Sequence, residues 1–353
     1  MTRQPAEENA VVDVGIPAYR RPAYIVEAIE SVLAQTFEAW TLTVSEDGGG
    51  SDGVRDAVRP YLDDPRVTYR AMPERVGQSA NWTSLIRSGT APYVALLHDD
   101  DRWQPEFLAR RVAFLDGHPE CGFVFSRTRE IDGEGRVIRR SPHSHPKSVL
   151  HPEELVPRLI RRNVIGHPPS ILVRRSAYEA LGTGFRNVLY EDYDMWYRLA
   201  LRFPVGYLDT DDADYRLHAV SVTQEEQDIR QRHLLLVDGL LALTEAERPG
   251  LLSRRERGQP YATIALACAL DQLVRGDRAA SARFVGAALR RYPPALADRR
   301  IPVWALGMAA GSAGSRALRW VRLELLRRRL RRAGYSGDVL PPAAVSGFDA
   351  MKR

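Results

Sequence analysis

Between Val11 and about Asp214, short apolar runs alternate with stretches of helical spacing. The pattern predicts an α/β unit built on a largely parallel sheet. The first run covers 11–16 and stops at Pro17, after which Ile25, Ile29, Val32 and Leu33 share a helix face. A second run, 41–45, leads into Glu46-Asp47-Gly48-Gly49-Gly50-Ser51-Asp52-Gly53. A third, 67–71, precedes a helix around 79–87. A fourth, 93–97, ends in His98-Asp99-Asp100-Asp101. Pro105 suits the first turn of the next helix, and 122–125 reads as the strand after it. Asp132-Gly133-Glu134-Gly135 predicts a hairpin turn, and 141–147, rich in Pro, His and Ser, a loop. A strand at 170–173, a helix at 192–203 and two short strands near Gly206 and Ala213 complete this part.

From about Gln224 the pattern turns helical throughout. Stretches 261–274 and 278–291 form a helical hairpin around Gly276-Asp277, closed by Pro293-Pro294. The expected organisation is a disordered N-terminus at 1–10, an α/β domain at 11–223, a helical region at 224–333 and a flexible tail at 334–353.

Composition narrows the picture. In 353 residues, 44% hydrophobic and 27% charged usage is ordinary for a globular chain and argues against wholesale disorder. Two cysteines, Cys121 and Cys268, exclude a disulfide framework or a multi-cysteine metal site and fit a reducing compartment. The N-terminus lacks the apolar core of a secretory signal, and no stretch approaches the roughly 20 apolar residues of a spanning helix. Localisation is therefore expected to be cytoplasmic, with peripheral attachment at the inner membrane face left open. Net charge is +5, and only Lys147 and Lys352 are lysines among 50 basic residues. Much of the excess sits at Arg316, Arg319, Arg322, Arg327, Arg328, Arg329, Arg331 and Arg332. Leu318, Val321, Leu325 and Leu326 fall near one stripe of that stretch. It is a candidate contact with an anionic membrane, or a packing face with solvated arginines; no nucleic-acid partner is expected.

In parallel α/β sheets ligands bind beyond the carboxyl ends of the strands, and three such ends carry suggestive chemistry. Adjacent Asp99, Asp100 and Asp101 repel one another unless they face water or a cation, and hard carboxylate oxygens suit Mg2+ or Mn2+ beside a substrate phosphate. The Glu46–Gly53 loop combines glycines, which let backbone approach a ligand, with acids that accept hydrogen bonds. It is neither a Walker sequence nor a dinucleotide fingerprint. Glu191, Asp192 and Asp194 lie among aromatics, where a carboxylate's pKa can rise towards general-base duty. Acids at a helix start also favour its dipole, which is the plainer reading. His218, after Arg216 and Leu217, becomes a metal or phosphate ligand if the fold brings it towards Asp100.

In this order the motifs resemble those of the inverting nucleotide-sugar glycosyltransferases of family 2. The matching residues are Val14-Gly15-Ile16-Pro17-Ala18-Tyr19-Arg20-Arg21, the Glu46-Asp47 loop, Arg75-Val76-Gly77-Gln78-Ser79-Ala80-Asn81, Asp99-Asp100-Asp101 with Trp103 and Pro105, Glu191-Asp192, and Arg216 with His218. The resemblance covers about 11–223. It implies the α/β GT-A fold, a Rossmann-like mixed sheet flanked by helices, here followed by an all-helical C-terminal region. His98 stands where many relatives have the first Asp, so the metal motif is expected to rest on Asp99 and Asp100. Glu46 replaces a frequent Asp, and either Glu46 or Asp47 meets the base.

The resemblance implies metal-dependent, hexosyltransferase-type transfer from a nucleotide-diphosphate sugar, a UDP-sugar being favoured, with Mn2+ or Mg2+ as cofactor. Asp192, with Glu191, would be catalytic. Pro17, Ala18, Tyr19, Arg21, Glu46, Asp47, Gly77, Asn81 and Asp99 would bind the nucleotide sugar, and Asp100 and His218 the metal. His167 and Trp196 are candidate acceptor contacts. The acceptor would be a glycan, a lipid-linked molecule or a natural product, and the C-terminal helices are a candidate homodimer surface. The alternatives are a sugar nucleotidyltransferase, disfavoured because Pro17-Ala18-Tyr19-Arg20-Arg21 lacks glycine, and a non-catalytic interaction protein on a degenerate GT-A domain.

Overall fold

Val12, Val14, Ile16 and Ala18 are all buried, as the alternation of a β-branched strand dictates, and make the centre of β1 (Val12–Ala18). Pro22 opens α1 (Pro22–Leu33), whose Ile25, Ala28, Ile29 and Val32 pack on that strand. This computed structural model describes residues 9–49, 53–141, 144–182, 184–217 and 229–318, which form two compact units, one up to Leu217 and one from Ile229.

In the first unit β1 lies between β2 (Trp40–Glu46) and β4 (Tyr93–Leu96), parallel to both, and β2 pairs in parallel with β3 (Val67–Ala71). The register aligns Ala18 with Glu46 and Glu46 with Ala71, so the three strands end level and the loops after them share one rim. Helices α2 (Val54–Val58) and α3 (Gln78–Ser88) complete this half. Beyond β4 come β5 (Arg102–Trp103), α4 (Phe107–Gly117), β6 (Phe123–Ile131), β7 (Val137–Arg140), β8 (Val149–Leu150), α5 (Pro152–Leu159), β9 (Leu172–Arg174), α6 (Arg175–Ala180), α7 (Glu191–Arg202) and β10 (Val205–Arg216). The strand order is β3-β2-β1-β4-β9-β6-β10-β5, with β7 on β6 and β8 on β10. β9 runs antiparallel to both its neighbours, whereas β10 runs parallel to β6. The sheet is thus mixed, with β1, β2, β3, β4, β6 and β10 running one way and the other four strands against them.

The hairpin expected at 132–135 is the β6–β7 turn. One expectation is corrected: the two strands near Gly206 and Ala213 are the single strand β10, whose register on β6 shifts between Leu208 and Ala213. Within that strand Asp212 points inward to the fully buried Arg111, at 2.9 Å. Burial raises the pKa of Asp212, but the charge and hydrogen bond of Arg111 outweigh it and hold the carboxyl below its usual range.

The second unit contains α8 (Ile229–Glu247), α9 (Arg254–Arg275), α10 (Arg278–Arg291) and α11 (Arg300–Ala309). A capping box between Ser253 and Glu256 starts α9, Gly276 ends it at φ 92°, and Asp277 caps α10 by accepting from the Ala280 amide at 2.8 Å. Small residues, Ala262, Ala265 and Ala269 against Val285 and Ala288, form the core of this unit. No helix among the described residues is long and apolar enough to cross a membrane. Residues 311–318 are helical, but the rest of the arginine-rich stretch and the expected tail lie outside the described residues, as do the first eight residues.

Candidate active site

The chain leaves β1 through Arg20, which takes a left-handed φ of 57° before Pro22 starts the helix. That turn aims the Tyr19 amide at Asp99 Oδ2, 3.0 Å away. The Arg21 guanidinium stands 3.2 Å from Asp99 Oδ1 and also pairs with Asp100. The Tyr19 ring carries the guanidinium of Arg75, from the loop after β3, 4.7 Å from its centroid.

Asp47 accepts from the amides of Val76 at 2.7 Å and Gly77 at 3.0 Å, clamping the loop that opens α3. Gly77 adopts φ 86°, which favours glycine at this position. Glu46 is 1% exposed and accepts from the Tyr69 hydroxyl, while its Oε1 has no partner among the described residues. Asn81, expected at the nucleotide, spends both ends of its amide on Ser45, accepting from the hydroxyl at 2.6 Å and donating to the carbonyl at 2.9 Å. It fastens α3 to β2.

Past β4, one ligand atom each from His98, Asp100 and Asp101 lies within 4.8 Å of the others, a donor set that fits a divalent ion. Asp99, expected beside Asp100 in the metal motif, is not part of this cluster: it is turned to Tyr19 and Arg21, and Asp101 stands with Asp100 instead. Burial, followed by the Asp100 charge, pushes the Asp101 carboxyl well above its usual range. Burial lowers the His98 pKa to about 4, against the pull of Asp100. Arg216, 1% exposed, anchors this turn: its amide donates to Asp101 Oδ1 at 2.9 Å and its Nε to the Asp100 carbonyl at 2.8 Å. It also reaches Glu27 of α1 at 2.7 Å. His218, the other expected metal ligand, lies outside the described residues. Trp103 plays a structural part, donating to the Pro169 carbonyl at 2.7 Å and stacking on Phe107.

Tyr190, at φ 56°, turns the chain into α7, which presents Glu191 and Asp192 half-buried in its first turn. Burial raises the Asp192 pKa to about 6, although the amides of Tyr193 and of Asp192 itself pull it down. Asp194 is fully buried and held by Arg186 and Arg198, so it braces the helix. Glu191 lines a cavity of about 640 Å³ with Gln78, Ser79, Thr83 and Asn187. Tyr215 ties the parts together: after burial, the charges of Asp101, Asp100 and Asp192 in turn raise its pKa. His167 lies flat on Tyr215 with ring centroids 3.8 Å apart, so this candidate acceptor residue stands at the site. Trp196 does not. It is 2% exposed and packs against Phe123 and Phe185, because one helical turn beyond Asp192 the side chain faces the core.

A curled mixed sheet flanked by helices, with acidic turns after its parallel strands, is the GT-A fold. The solved S. aureus TarS 1-349 is similar over 93% of this chain and 94% of that one, at 14% identity and a TM-score of 0.60. A mannosyltransferase from Pyrobaculum calidifontis gives 0.53 at 17% identity, covering 88% and 87%. Residues 13–182 match the model of glycosyl transferase family 2. WcaA of Escherichia coli K12, named as a candidate colanic acid biosynthesis glycosyl transferase, is 24% identical over 199 residues, 56% of this chain and 68% of that one. In two further curated relatives, both longer than this chain, the match spans 14% and 30% of their length.

Proposed function

We propose that this chain transfers a sugar from a nucleoside diphosphate sugar to an acceptor nucleophile, with inversion at the anomeric carbon and with a divalent ion. The observation that carries the reading is Asp192 at the start of α7, its pKa raised by burial, together with the ligand cluster of His98, Asp100 and Asp101. A carboxylate titrating near 6 is ionised at neutral pH yet basic enough to accept a proton from a hydroxyl.

Asp192 takes the acceptor's proton as the acceptor oxygen bonds to the anomeric carbon from the face opposite the diphosphate. The bond to the β-phosphate oxygen breaks, and the diphosphate leaves with the electron pair. Asp99 and the turn at Tyr19 hold the nucleotide, and the 75–77 loop, clamped by Asp47, closes over it. Holding both substrates in line supplies much of the rate. A divalent ion bound by Asp100 with His98 and Asp101 would supply Lewis-acid neutralisation of the charge on the diphosphate.

A UDP-sugar is the favoured donor. The TarS neighbour has been solved with UDP-GlcNAc, and the Pyrobaculum mannosyltransferase with GDP-Man and Mn2+, so both nucleotides belong in the test. Thermal unfolding of the full chain with UDP, GDP and their sugars, with and without Mn2+, should show metal-dependent stabilisation by one nucleotide family. Stabilisation by none of them would sink the reading.

A further inference from the structure

The side chain of Asp101 is fully buried, and while the Arg216 amide takes its Oδ1, its Oδ2 has no hydrogen-bond partner among the described residues. Leaving a buried carboxylate oxygen unsatisfied is costly, so this atom is built to face a cation. Beside it stands His98, whose Nδ1 is 3.6 Å away, too far for a hydrogen bond. The other ring nitrogen, Nε2, is buried and also without a partner among the described residues. Trp82 lies against the imidazole with centroids 4.9 Å apart, which limits its orientations. One His98 nitrogen therefore joins oxygens of Asp100 and Asp101 in a single cluster of ligand atoms.

We propose that His98 is a ligand of the divalent ion and that the site consequently takes a first-row transition ion such as Mn2+ in preference to Mg2+. Mg2+ is hard, favours oxygen and demands near-ideal octahedral geometry, whereas transition ions accept imidazole nitrogen more readily. The inference rests on the metal-dependent reading above and goes beyond it by setting which metals the enzyme uses.

The test is pulsed electron paramagnetic resonance on the full chain with Mn2+ and UDP, read for modulation by a directly bound nitrogen. Wild-type protein and His218→Ala should show it, and His98→Asp should lose it while still binding Mn2+. Calorimetric titration should give Mn2+ an advantage over Mg2+ of about tenfold or more, shrinking in His98→Asp. Mn2+ bound through oxygen alone in the wild type would overturn the proposal and leave metal dependence standing. Failure to bind Mn2+ with or without UDP would overturn both. Should His98→Asp unfold, the wild-type and His218→Ala spectra still decide: modulation lost in His218→Ala assigns the nitrogen to His218 and overturns the proposal.

Discussion

Arg216 donates from Nε to the main-chain carbonyl of Asp100 at 2.8 Å, across 116 residues of chain. With its amide on Asp101 and its guanidinium on Glu27, this buried side chain fixes the turn that carries the candidate metal ligands. Arg216→Ala keeps the amide bond to Asp101 but should strand the Asp100 carbonyl, at about 1–3 kcal/mol for a buried group left unsatisfied. The expected signature is weakened Mn2+ binding and a lower kcat, with donor KM less affected. Arg216→Lys should restore part of the loss. A stability loss with unchanged Mn2+ affinity would mean that Arg216 supports the fold alone.

Asp192 should govern the acid limb of the pH profile. Its carboxyl titrates near 6 and must be ionised to accept a proton, so the rate should climb as pH rises through about 6 and then level off. Asp192→Asn should keep donor binding and lose about 10²–10⁴-fold in kcat. Near-normal turnover in Asp192→Asn, with Glu191→Gln inactive, would move the role to Glu191.

Asp47 is expected to act through the loop it clamps. Asp47→Asn replaces a carboxylate that accepts from two amides with a group offering one acceptor and one misplaced donor. Hydrogen bonds to charged groups contribute about 1.5–3 kcal/mol, so donor affinity should fall roughly 10- to 100-fold, read by calorimetry with UDP. Unchanged affinity would show that the 75–77 loop takes no part in binding.

Asp212 is the charge partner of the fully buried Arg111. Asp212→Ala leaves that guanidinium uncompensated and should destabilise the first unit by about 3–5 kcal/mol in denaturant unfolding. A loss under about 1 kcal/mol would mean that Ser126 and nearby carbonyls suffice to hold Arg111.

The sequence by itself determined the elements whose signals are local. Short apolar runs mark β1 to β4, Pro22 and the period of Ile25, Ile29 and Val32 mark α1, and Gly276-Asp277 marks the turn between α9 and α10. The ordered acidic turns at Asp47, Asp99–Asp101 and Glu191–Asp192 were legible too, because a carboxylate cluster at the end of an apolar run is conspicuous in one dimension. The parallel registers that align Ala18 with Glu46 and Gly15 with Leu96 put the first two of these turns on one rim.

Only the tertiary structure decided which way each of those side chains turns. Within the adjacent acids 99–101, Asp99 goes to Tyr19 and Arg21, whereas Asp101 goes inward to the Arg216 amide beside His98. No local pattern encodes that division, since each partner lies far away in the chain or across a turn. The same holds for Asp212, which Arg111 meets from 101 positions away, and for Asn81, whose amide is consumed by Ser45 on another element. Charge and polarity along the chain announce where chemistry is possible. Burial and long-range pairing settle which groups brace the site and which face the reaction, because the cost of an unpaired polar atom depends on what the fold packs beside it.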